Sequence, residues 1–435
     1  MIFERVIACA RRPKPVIRFL RWSWVLFVFI NEVGLYFWHI SLCQWPTNGT
    51  DALASHIAIV ADPQIVDHYS FDQAGILVRA TQFLTDTYVR KSYLLLQSIR
   101  RPSTVIFLGD FMDGGRMRDD AAWLASYSRH QSIFRNRDPE NRRVYDMAGN
   151  HDIGIGNTVD PQALSRFHRY VGPTNQVIDV GGYSVVLLDT LTLESDDPSV
   201  SDGSRQLVRW LEDERAGEAS GVLPRLLFTH MPMWRPESTF CSSLRQNDLK
   251  YLRDKSGYQF RDQLSQNTTE YLLRAIEPAA VFSGDNHDIC TTRHQITGSP
   301  SVPEYTIGAF GWTSSVPTAS YGLLSLHNSG NGKKSFILQN CYLPHQIGIF
   351  KGYAVSLILS LLLLAYAFWC KWRNMQRYIN EPEQSLLSTV STGRLVNVWR
   401  DKKQRMALDV LLGTKNIAFV VVPTYVLCNI LFYII

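Results

Sequence analysis

The sequence predicts a layered α/β domain flanked by segments that could cross a membrane as helices. Through the middle of the 435-residue chain, short apolar runs typical of buried strands alternate with longer helix-like segments. Near its two ends stand three long apolar stretches, each beside a cluster of basic residues. The 46% hydrophobic and 12% aromatic content excludes a globally disordered chain, and seven cysteines are too few for a disulfide-dense scaffold.

The apolar stretches are predicted to be membrane-spanning helices at residues 22–42, 351–370 and 416–435. Each has about the 20 residues that a helix needs to cross a bilayer. The first contains Glu32 near its centre, which costs about 2.5–3.5 kcal/mol on insertion scales, so Glu32 either pairs with another span or lies near the interface. A signal peptide is the alternative for this segment. Its cleavage pattern, Ala52-Leu53-Ala54, lies too far downstream, so we expect an uncleaved anchor.

The uneven distribution of charge predicts the membrane topology. Residues 1–21 include six basic residues and one acidic residue, residues 371–415 include nine and four, and residues 43–350 include 28 and 33. Basic residues that flank spans stay in the cytosol, so the N-terminus and the 371–415 loop are expected there and the 43–350 domain in the lumen. Because topology explains the basic flanks and the lumenal domain is acidic, we expect no nucleic-acid partner.

Two N-glycosylation sequons begin at Asn48 and Asn267, both in the part predicted to be lumenal. Four cysteines lie in that part or at its edge, namely Cys43, Cys241, Cys290 and Cys341. One disulfide is expected in this oxidising compartment, and the sequence leaves its pairing open.

Strand-like and helix-like segments define the domain in chain order. Buried strands are predicted at residues 56–64, 104–110, 144–152, 183–190, 224–230 and 279–287, with helices near 73–100, 119–134, 204–216 and 268–276. Later segments near 302–310, 321–327 and 335–340 are predicted to be strands without helices between them. Residues 233–267 are polar and loop-like, which favours a lid or an insertion that shapes the substrate site.

Five of the six strand runs end in polar side chains that can bind metal. They are Asp62 and Gln64, then Asp110, then Asn150 with His151 and Asp152, then His230, and finally Asp285 with His287. A single Asp after a strand is more often a turn or a helix cap, but five such endings make that explanation improbable. Because functional groups of α/β sheets collect at the carboxyl ends of strands, we expect these side chains to meet. Gly109, Gly149 and Gly284 would let the backbone turn sharply towards a compact site.

This set of carboxylates, histidines and amides suits hydrolysis with two metal ions. Two divalent ions about 3.5–4 Å apart need one bridging carboxylate and separate ligands for each ion. They hold a hydroxide as the nucleophile and neutralise phosphoryl oxygens. Spacing alone leaves open which Asp is the bridge.

The order of these motifs resembles that of the calcineurin-like metallophosphoesterases, D-x-[HQ], GDxxDxG, GNH[DE], H and GHxH. The corresponding residues here are Asp62-Pro63-Gln64, Gly109-Asp110-Phe111-Met112-Asp113-Gly114, Gly149-Asn150-His151-Asp152, His230 and Gly284-Asp285-Asn286-His287. More narrowly, ADPQIVDHYS, FLGDFMDGGR, AGNHDIGIGNTV, THMPMWRP and FSGDNHDIC are similar to the fungal branch of GPI-anchor ethanolamine-phosphate phosphodiesterases, which are manganese-dependent enzymes of the ER membrane. The resemblance implies a metallophosphoesterase β-sandwich flanked by helices, beside the three transmembrane helices.

The resemblance also implies a role for each matching residue. It assigns Asp62, Gln64, Asp110 and His287 to one metal ion, and Asp110 as the bridge, Asn150, His230 and Asp285 to the other. His151 would stabilise the transition state or protonate the leaving oxygen, whereas Asp113 and Asp152 would orient ligands. Gln64 and Asp285 replace histidines of the wider superfamily, as they do in the fungal branch. The resulting excess of oxygen ligands suits Mn²⁺ or Mg²⁺ better than Zn²⁺, so the expected cofactors are two divalent ions, most simply Mn²⁺.

Three more residues near the motifs are candidates for substrate binding. Arg116 would clamp a phosphate oxygen, and an ordinary surface ion pair is the alternative. Trp234 and Arg235 follow the His230 motif at the expected mouth of the pocket, where they either contact the substrate or pack the lid.

The predicted function is removal of ethanolamine-phosphate from a mannose of GPI anchors by a membrane-bound phosphodiesterase. The run PQIVDHYS resembles the branch that acts on the first mannose. The expected location is the ER membrane with the catalytic domain in the lumen, the Golgi being the alternative, and the expected partner is the GPI glycan with its lipid. The alternative functions are a lumenal phosphoesterase with another substrate and a non-catalytic metal-binding scaffold involved in ion homeostasis.

Overall fold

The computed structural model describes residues 13–47, 54–70, 75–216, 223–236, 239–246, 262–295, 300–314, 316–328, 334–380 and 392–434. The helices are α1 (Pro13–Phe29), α2 (Leu35–Leu42), α3 (Ile76–Leu95), α4 (Asp120–Ile133), α5 (Asn150–Ile153), α6 (Pro161–Tyr170), α7 (Thr190–Leu193), α8 (Pro198–Ala216), α9 (Gln266–Ile276), α10 (Gln346–Asn380) and α11 (Thr392–Ile434). The strands are β1 (Ser55–Val60), β2 (Thr104–Phe107), β3 (Arg143–Asp146), β4 (Gln176–Val180), β5 (Tyr183–Leu187), β6 (Arg225–Phe228), β7 (Ala280–Ser283), β8 (Cys290–His294), β9 (Val302–Thr306), β10 (Ser320–Asn328) and β11 (Lys334–Tyr342).

Two sheets form the body of the unit that spans Tyr36–His345. The first sheet has the order β11-β10-β1-β2-β3, and its strands β1, β2 and β3 are parallel. The second has the order β4-β5-β6-β7-β9-β8, and its strands β5, β6, β7 and β9 are parallel. Parallel neighbours place their carboxyl ends at one edge of each sheet, which is where the polar motifs follow.

Alternate side chains of the central strands enter two different cores, as the pleat of a strand requires. Ile59 of β1 packs with Phe228 of β6 and Phe282 of β7 in the core between the sheets. The next residue, Val60, belongs to the outer core together with Tyr93 of α3. Sheet therefore packs on sheet with helices outside, and the predicted layered β-sandwich is confirmed.

Three helical stretches have the length and composition to cross a membrane, namely Pro13–Leu42, Gln346–Asn374 and Gln404–Tyr433. The segments predicted at 22–42, 351–370 and 416–435 fall within or largely within them. Helices α10 and α11 also extend into the segment predicted as a loop, residues 371–415, so the part of that segment outside 381–391 is helical. Its polar residues are mostly good helix formers, which lets each helix continue beyond its apolar stretch.

Glu32, the acidic residue of the first apolar segment, has a partner on another apolar helix. The hydroxyl of Tyr353 in α10 donates to Glu32 Oε1 at 2.8 Å, and Glu32 is 3% exposed. Glu32 lies in a π-helical turn, Ile30–Gly34, between α1 and α2. Of the two alternatives left by the sequence, pairing with another helix is the one that the structure contains.

Most predicted elements of the domain are present, with ends shifted by a few residues, but α5, α6, α7, β4 and β8 were not predicted, and α5 begins within the run predicted as a strand at 144–152. Both α6 and β4 carry recognisable signals. Helix α6 begins with Pro161 after Asp160, whose carboxylate accepts a hydrogen bond from the Gln162 backbone. Strand β4 is joined to β5 by Gly181 and Gly182, which have φ angles of 60° and 78° and form a glycine hairpin turn.

The unit contains two disulfides, whereas the sequence led us to expect one. Cys43 is bonded to Cys341, and Cys241 is bonded to Cys290. The pairs join residues 298 and 49 positions apart, so only the fold brings each pair together.

Candidate metal centre

The two sheets bring the polar strand ends to one cluster. The parallel strands β1 and β2 lead to Asp62 and Asp110, and β6 leads to His230. One ligand atom from each of these three buried side chains lies within 4.8 Å of the others, so together they could hold a metal ion. Residues that are 48 and 120 positions apart in the sequence therefore meet because both sheets end at this point.

Asp62 is buried and has an oxygen without a hydrogen-bond donor among the described residues, as expected of a metal ligand. It is 0% exposed, and its Oδ1 accepts a hydrogen bond from the Asp285 backbone at 3.2 Å. Its Oδ2 is buried and has no hydrogen-bond donor among the described residues. Burial raises the pKa of Asp62 well above its usual range, against the opposing effect of His230. A buried oxygen without a donor is costly, and a cation would satisfy it.

The oxygens around His230 also favour a cation at this place. Its Nδ1 lies 2.8 Å from the Leu108 carbonyl, which can only accept, so this nitrogen carries the proton. The other nitrogen, Nε2, faces oxygens of Asn150 at 3.1 Å and of Asp110 and Asp285 at 3.6 Å each. Burial alone would lower the pKa of His230, but Asp110 and the other carboxylates outweigh it and raise the pKa to about 10. The oxygens thus favour a positive charge at this point, which a divalent ion would supply.

Gln64 and Asp110 are linked to each other. The Gln64 side-chain nitrogen donates to Asp110 Oδ2 at 2.9 Å, and the backbone nitrogen of His151 donates to Asp110 Oδ1 at 2.9 Å. Burial would raise the pKa of Asp110, but the charges of His151 and His230 and these hydrogen bonds lower it. Asp110 is therefore ionised, and the Gln64 amide is oriented by its nitrogen, so that its oxygen is the atom suited to metal.

His151 is fixed at one nitrogen. Its Nδ1 lies 2.6 Å from the Asp113 carbonyl and 3.4 Å from the Asp113 carboxylate, while Nε2 lies 4.0 Å from Asp110 Oδ2. Burial would lower the pKa of His151, but Asp110 and Asp113 outweigh it, and the net shift is upwards. The side chain is 17% exposed, so Nε2 can hold a proton beside the carboxylate cluster and still be reached.

Asp152 supports the backbone of two motifs. Its Oδ2 accepts hydrogen bonds from the backbone nitrogens of Asp110 at 2.8 Å and Gly149 at 2.9 Å, and its Oδ1 accepts one from Phe111 at 3.2 Å. Burial, together with the charge of Asp110, raises the pKa of Asp152 to about 7. These contacts place Asp152 where an orienting residue would be, one step behind the cluster.

Asp285 and His287 complete the cluster from the second sheet. The Asp285 carboxylate lies beside His230, and His287 Nδ1 lies 3.1 Å from the Ser314 carbonyl. That contact makes Nε2 of His287 the nitrogen available for metal. Burial lowers the pKa of His287, despite the opposing charge of Asp285, which favours the neutral ring that a metal needs.

The backbone is strained at most of the predicted ligands. Seven described residues other than glycine have positive φ angles, and five of them are predicted ligands, namely Asp62, Gln64, Asp110, Asp285 and His287, with φ angles of 35° to 60°. Such conformations cost about 1 kcal/mol or more each and concentrate at functional sites, where the surroundings enforce them. Left-handed backbone at Asp, Gln and His leaves no recognisable pattern in the sequence, so this property could not be predicted.

Glycines permit the close approach of the motifs, as expected. A Cβ on Gly109, whose φ is 109°, would lie 2.6 Å from the Gly149 backbone nitrogen, and one on Gly149 would overlap Asp110. A Cβ on Gly284 would lie 3.2 Å from Asp62 Oδ2. The motifs therefore pack backbone against backbone.

The remaining predicted residues lie in varied places. The Arg116 guanidinium lies 3.4 Å from the Thr158 carbonyl, and the Trp234 backbone is bonded to Thr269 at 2.8 Å. Arg235 is not at a pocket mouth, because it is 3% exposed and its guanidinium pairs with Glu304 at 3.2 Å. Asn267 is exposed in the first turn of α9, and Asn48 lies outside the described residues. A substrate contact stays a prediction for Arg116 and Trp234, whereas burial argues against one for Arg235.

Sequence reasoning missed Glu304, which anchors the second-sheet side of the cluster. Its Oε1 accepts from the Met233 backbone at 2.9 Å and from Ser283 at 2.8 Å, and its Oε2 contacts His294 at 2.7 Å and Arg235. Burial would raise the pKa of Glu304, but the bond from His294 and the charge of Arg235 lower it. The available signal was an acidic residue at an inward position of the strand VPEYT.

Comparison with known proteins identifies the family of this chain. Residues 55–288 match the calcineurin-like phosphoesterases. Cell division control protein 1 of Saccharomyces cerevisiae is 32% identical over 372 residues, which cover 79% of this chain and 74% of the yeast protein. Metallophosphoesterase 1 of Ailuropoda melanoleuca is 26% identical over 78% of this chain and 86% of its own length, and that of Xenopus laevis is 25% identical over 80% and 88%. With the buried cluster of Asp62, Asp110 and His230 at its centre, this chain belongs to the calcineurin-like phosphoesterase family and is a metal-dependent phosphoesterase.

Proposed function

We propose that this phosphoesterase removes ethanolamine-phosphate from a mannose of GPI anchors, the first mannose in preference, at the lumenal side of the ER membrane. The observation that carries the proposal is the buried cluster of Asp62, Asp110 and His230, formed from three strand ends in the order of the family motifs. Similarity to proteins named Metallophosphoesterase 1 and the run ADPQIVDHYS support the choice of substrate. The three long apolar helices suit a substrate whose lipid stays in a bilayer.

The metal-binding part of the proposal is a pair of divalent ions, Mn²⁺ in preference. Asp62, Gln64, Asp110 and His287 would hold one ion, and Asp110, Asn150, His230 and Asp285 would hold the other. Oxygen donors outnumber nitrogen donors in this set, which favours Mn²⁺ over Zn²⁺. When bound, such a pair supplies a nucleophilic hydroxide and neutralises the charge on the phosphoryl oxygens.

The proton-transfer part of the proposal rests on His151. The contact of Nδ1 with the Asp113 carbonyl at 2.6 Å fixes the ring and leaves Nε2 as the working nitrogen. Since Asp110 and Asp113 raise the pKa of His151, Nε2 is protonated in more of the molecules near neutral pH. That proton goes to the mannose oxygen as the P–O bond to the sugar breaks, and the hydroxyl group from water ends on phosphorus.

The test is an assay of the purified full-length protein on synthetic GPI glycans, each with one ethanolamine-phosphate on a defined mannose. We expect release of ethanolamine-phosphate, fastest from the first mannose, and none from an Asp110→Asn variant. Phospholipid and nucleotide-sugar diesters are assayed in parallel. No release from any glycan contradicts the substrate, and turnover of a parallel substrate alone supports the other lumenal phosphoesterase. Stoichiometric Zn²⁺ in the purified protein, with activity insensitive to Mn²⁺ depletion, contradicts the choice of metal.

A further inference from the structure

A short stretch of irregular chain, residues 239–246, is attached to the GDNH motif from outside it. We call this stretch the clasp segment. Cys241 forms a disulfide with Cys290, which opens β8 shortly after the motif. Arg245 Nη1 donates to Asn286 Oδ1 at 2.8 Å, between the two predicted ligands of the motif. The backbone nitrogen of Gln246 lies 3.1 Å and 3.0 Å from the two carboxylate oxygens of Asp288.

The GDNH motif needs support because its backbone is strained. Asp285 and His287 both have φ angles of 60°, so two residues of one tetrapeptide are left-handed. Such a conformation is strained for a residue with a Cβ and persists only where neighbouring groups enforce it. The strained residues themselves are bonded within the sheets, through the Asp285 nitrogen to Asp62 and through the His287 carbonyl to Ala309. The side chains of the alternate residues, Asn286 and Asp288, are bonded to the clasp segment.

Burial and charge make these contacts strong. Asp288 is 0% exposed, and the Arg245 side chain is 8% exposed. Arg245 Nε lies 3.9 Å from Asp288 Oδ2, so its positive charge stands beside a buried carboxylate while Nη1 holds Asn286. Hydrogen bonds to ionised groups in a buried setting are stronger and more directional than neutral ones. The covalent bond from Cys241 keeps the segment at this place.

We propose that Arg245 is a positioning residue for the metal centre, and that the Cys241–Cys290 disulfide holds it against the motif. It acts through Asn286 and Asp288 on the orientation of Asp285 and His287, which belong to different ions in the centre proposed above. The inference rests on that proposed centre and is independent of which phosphodiester is cleaved. Loss of the clasp weakens the binding of both ions and leaves the sheets folded.

The test is titration of the full-length protein with Mn²⁺, followed by calorimetry and by the electron paramagnetic resonance signal of free Mn²⁺. We expect Arg245→Ala and the double variant Cys241→Ser with Cys290→Ser each to weaken Mn²⁺ binding about 10- to 100-fold, the usual effect of a lost orienting group. Arg245→Lys, which keeps the charge and one donor, recovers part of that loss. The matched control removes the other disulfide, Cys43→Ser with Cys341→Ser, and keeps the wild-type affinity.

Wild-type affinity in both clasp variants overturns the inference, and so does an equal loss in the control. If either variant is unfolded in EDTA by circular dichroism, Asn286→Ala decides, because it removes the Arg245 contact and keeps the disulfide and Asp288. Its affinity is expected to fall about tenfold, and an unchanged value overturns the inference. A wild-type protein that binds no Mn²⁺ overturns the metal centre together with the clasp. One that binds two ions and cleaves no GPI glycan overturns only the proposed substrate.

Discussion

The motif GNHD at residues 149–152 and the motif GDNH at residues 284–287 both follow parallel strands, yet they are held in different ways. In each, the residue after the histidine is a buried aspartate that accepts backbone hydrogen bonds. Asp152 receives them from its own motif and from Asp110 on the neighbouring strand. Asp288 receives them from Ile289 and from Gln246, which lies in the clasp segment outside both sheets.

The difference shows which part of the site the sheet alone can build. The ends of β2 and β3 lie side by side, so one carboxylate can bond both motifs, with Gly109 and Gly149 in contact. At the end of β7 part of the support comes from a segment without regular secondary structure, which a disulfide joins to Cys290. The first motif is therefore held by contacts at the ends of adjacent strands, whereas the second is also bonded to a segment outside the sheets.

The largest expected effect distinguishes the role of His151 in proton transfer from the role of His287 in metal binding. His151→Gln should lower kcat about 10²- to 10⁴-fold, the usual range for a lost general acid, and leave binding of two Mn²⁺ ions unchanged. His287→Gln should instead weaken Mn²⁺ binding, because His287 is a proposed ligand. Steady-state assays and Mn²⁺ titration of the two variants check this.

The matched control is His168→Gln, an exposed histidine whose Nε2 contacts Thr174 at 3.3 Å. Near-wild-type kcat is expected there. Loss of one bound ion in His151→Gln would show that His151 is a ligand, and the proposed division between the motifs would then be wrong.

The second prediction concerns the anchor of the GDNH side. Glu304→Gln leaves the buried guanidinium of Arg235 without its counter-charge, so the free energy of unfolding should fall by about 3 kcal/mol. Denaturation of the detergent-solubilised protein, followed by tryptophan fluorescence, measures it. In the control, Glu270→Gln, the exposed pair with Arg274 at 3.9 Å is lost, and a change below about 0.5 kcal/mol is expected. Equal effects of the two substitutions would contradict a buried ionic anchor.

The same contrast explains which parts of the fold and of the site could be predicted from the sequence. The alternation of strand-like and helix-like runs predicted a layered α/β domain, and the family resemblance predicted the sandwich. The order of polar strand ends predicted which side chains gather, because parallel strands end at one edge. Asp62, Asp110 and His230 could be placed together on that ground alone. The GNHD side is local in this sense, since its supports are neighbours on adjacent strands.

The GDNH side was less predictable because part of its support comes from residues outside the strands. Arg245 lies in a polar segment with no periodic pattern, and Cys241 could have paired with any of three other cysteines. Arg235 was expected at the mouth of the pocket, because nothing near it in the sequence shows that Glu304 lies at an inward position of β9. Long-range partners of single charges are set by the packing of both sheets, which a local pattern does not contain.

A third prediction tests whether GNHD is truly held by its own carboxylate. Asp152→Asn keeps the size of the side chain but replaces one of its two acceptor oxygens with a donor, opposite backbone nitrogens that also donate. We expect Mn²⁺ affinity to fall about 10- to 100-fold. The control is Asp160→Asn, the cap of α6, whose contact with the Gln162 backbone at 2.9 Å survives the change because the asparagine oxygen accepts the same hydrogen bond. If both variants bind Mn²⁺ equally well, the support of GNHD must come from elsewhere.

The smallest effect concerns a buried aromatic cluster next to Asp110. In it, His130 packs on Phe111 and Phe134, with ring centres 4.7 Å apart in each case. Burial lowers the pKa of His130 to about 3, so the folded state keeps the ring neutral while the unfolded chain takes up a proton below about pH 6.5. Stability from this residue is therefore full above pH 6.5 and is lost as the pH falls. Between pH 7 and pH 5.5 the wild type should lose about 1.2 kcal/mol more than His130→Phe, which has no proton to gain. Denaturation curves of both proteins at the two pH values measure the difference. An equal pH dependence would mean that water reaches His130 in the folded state, which contradicts the buried, neutral ring.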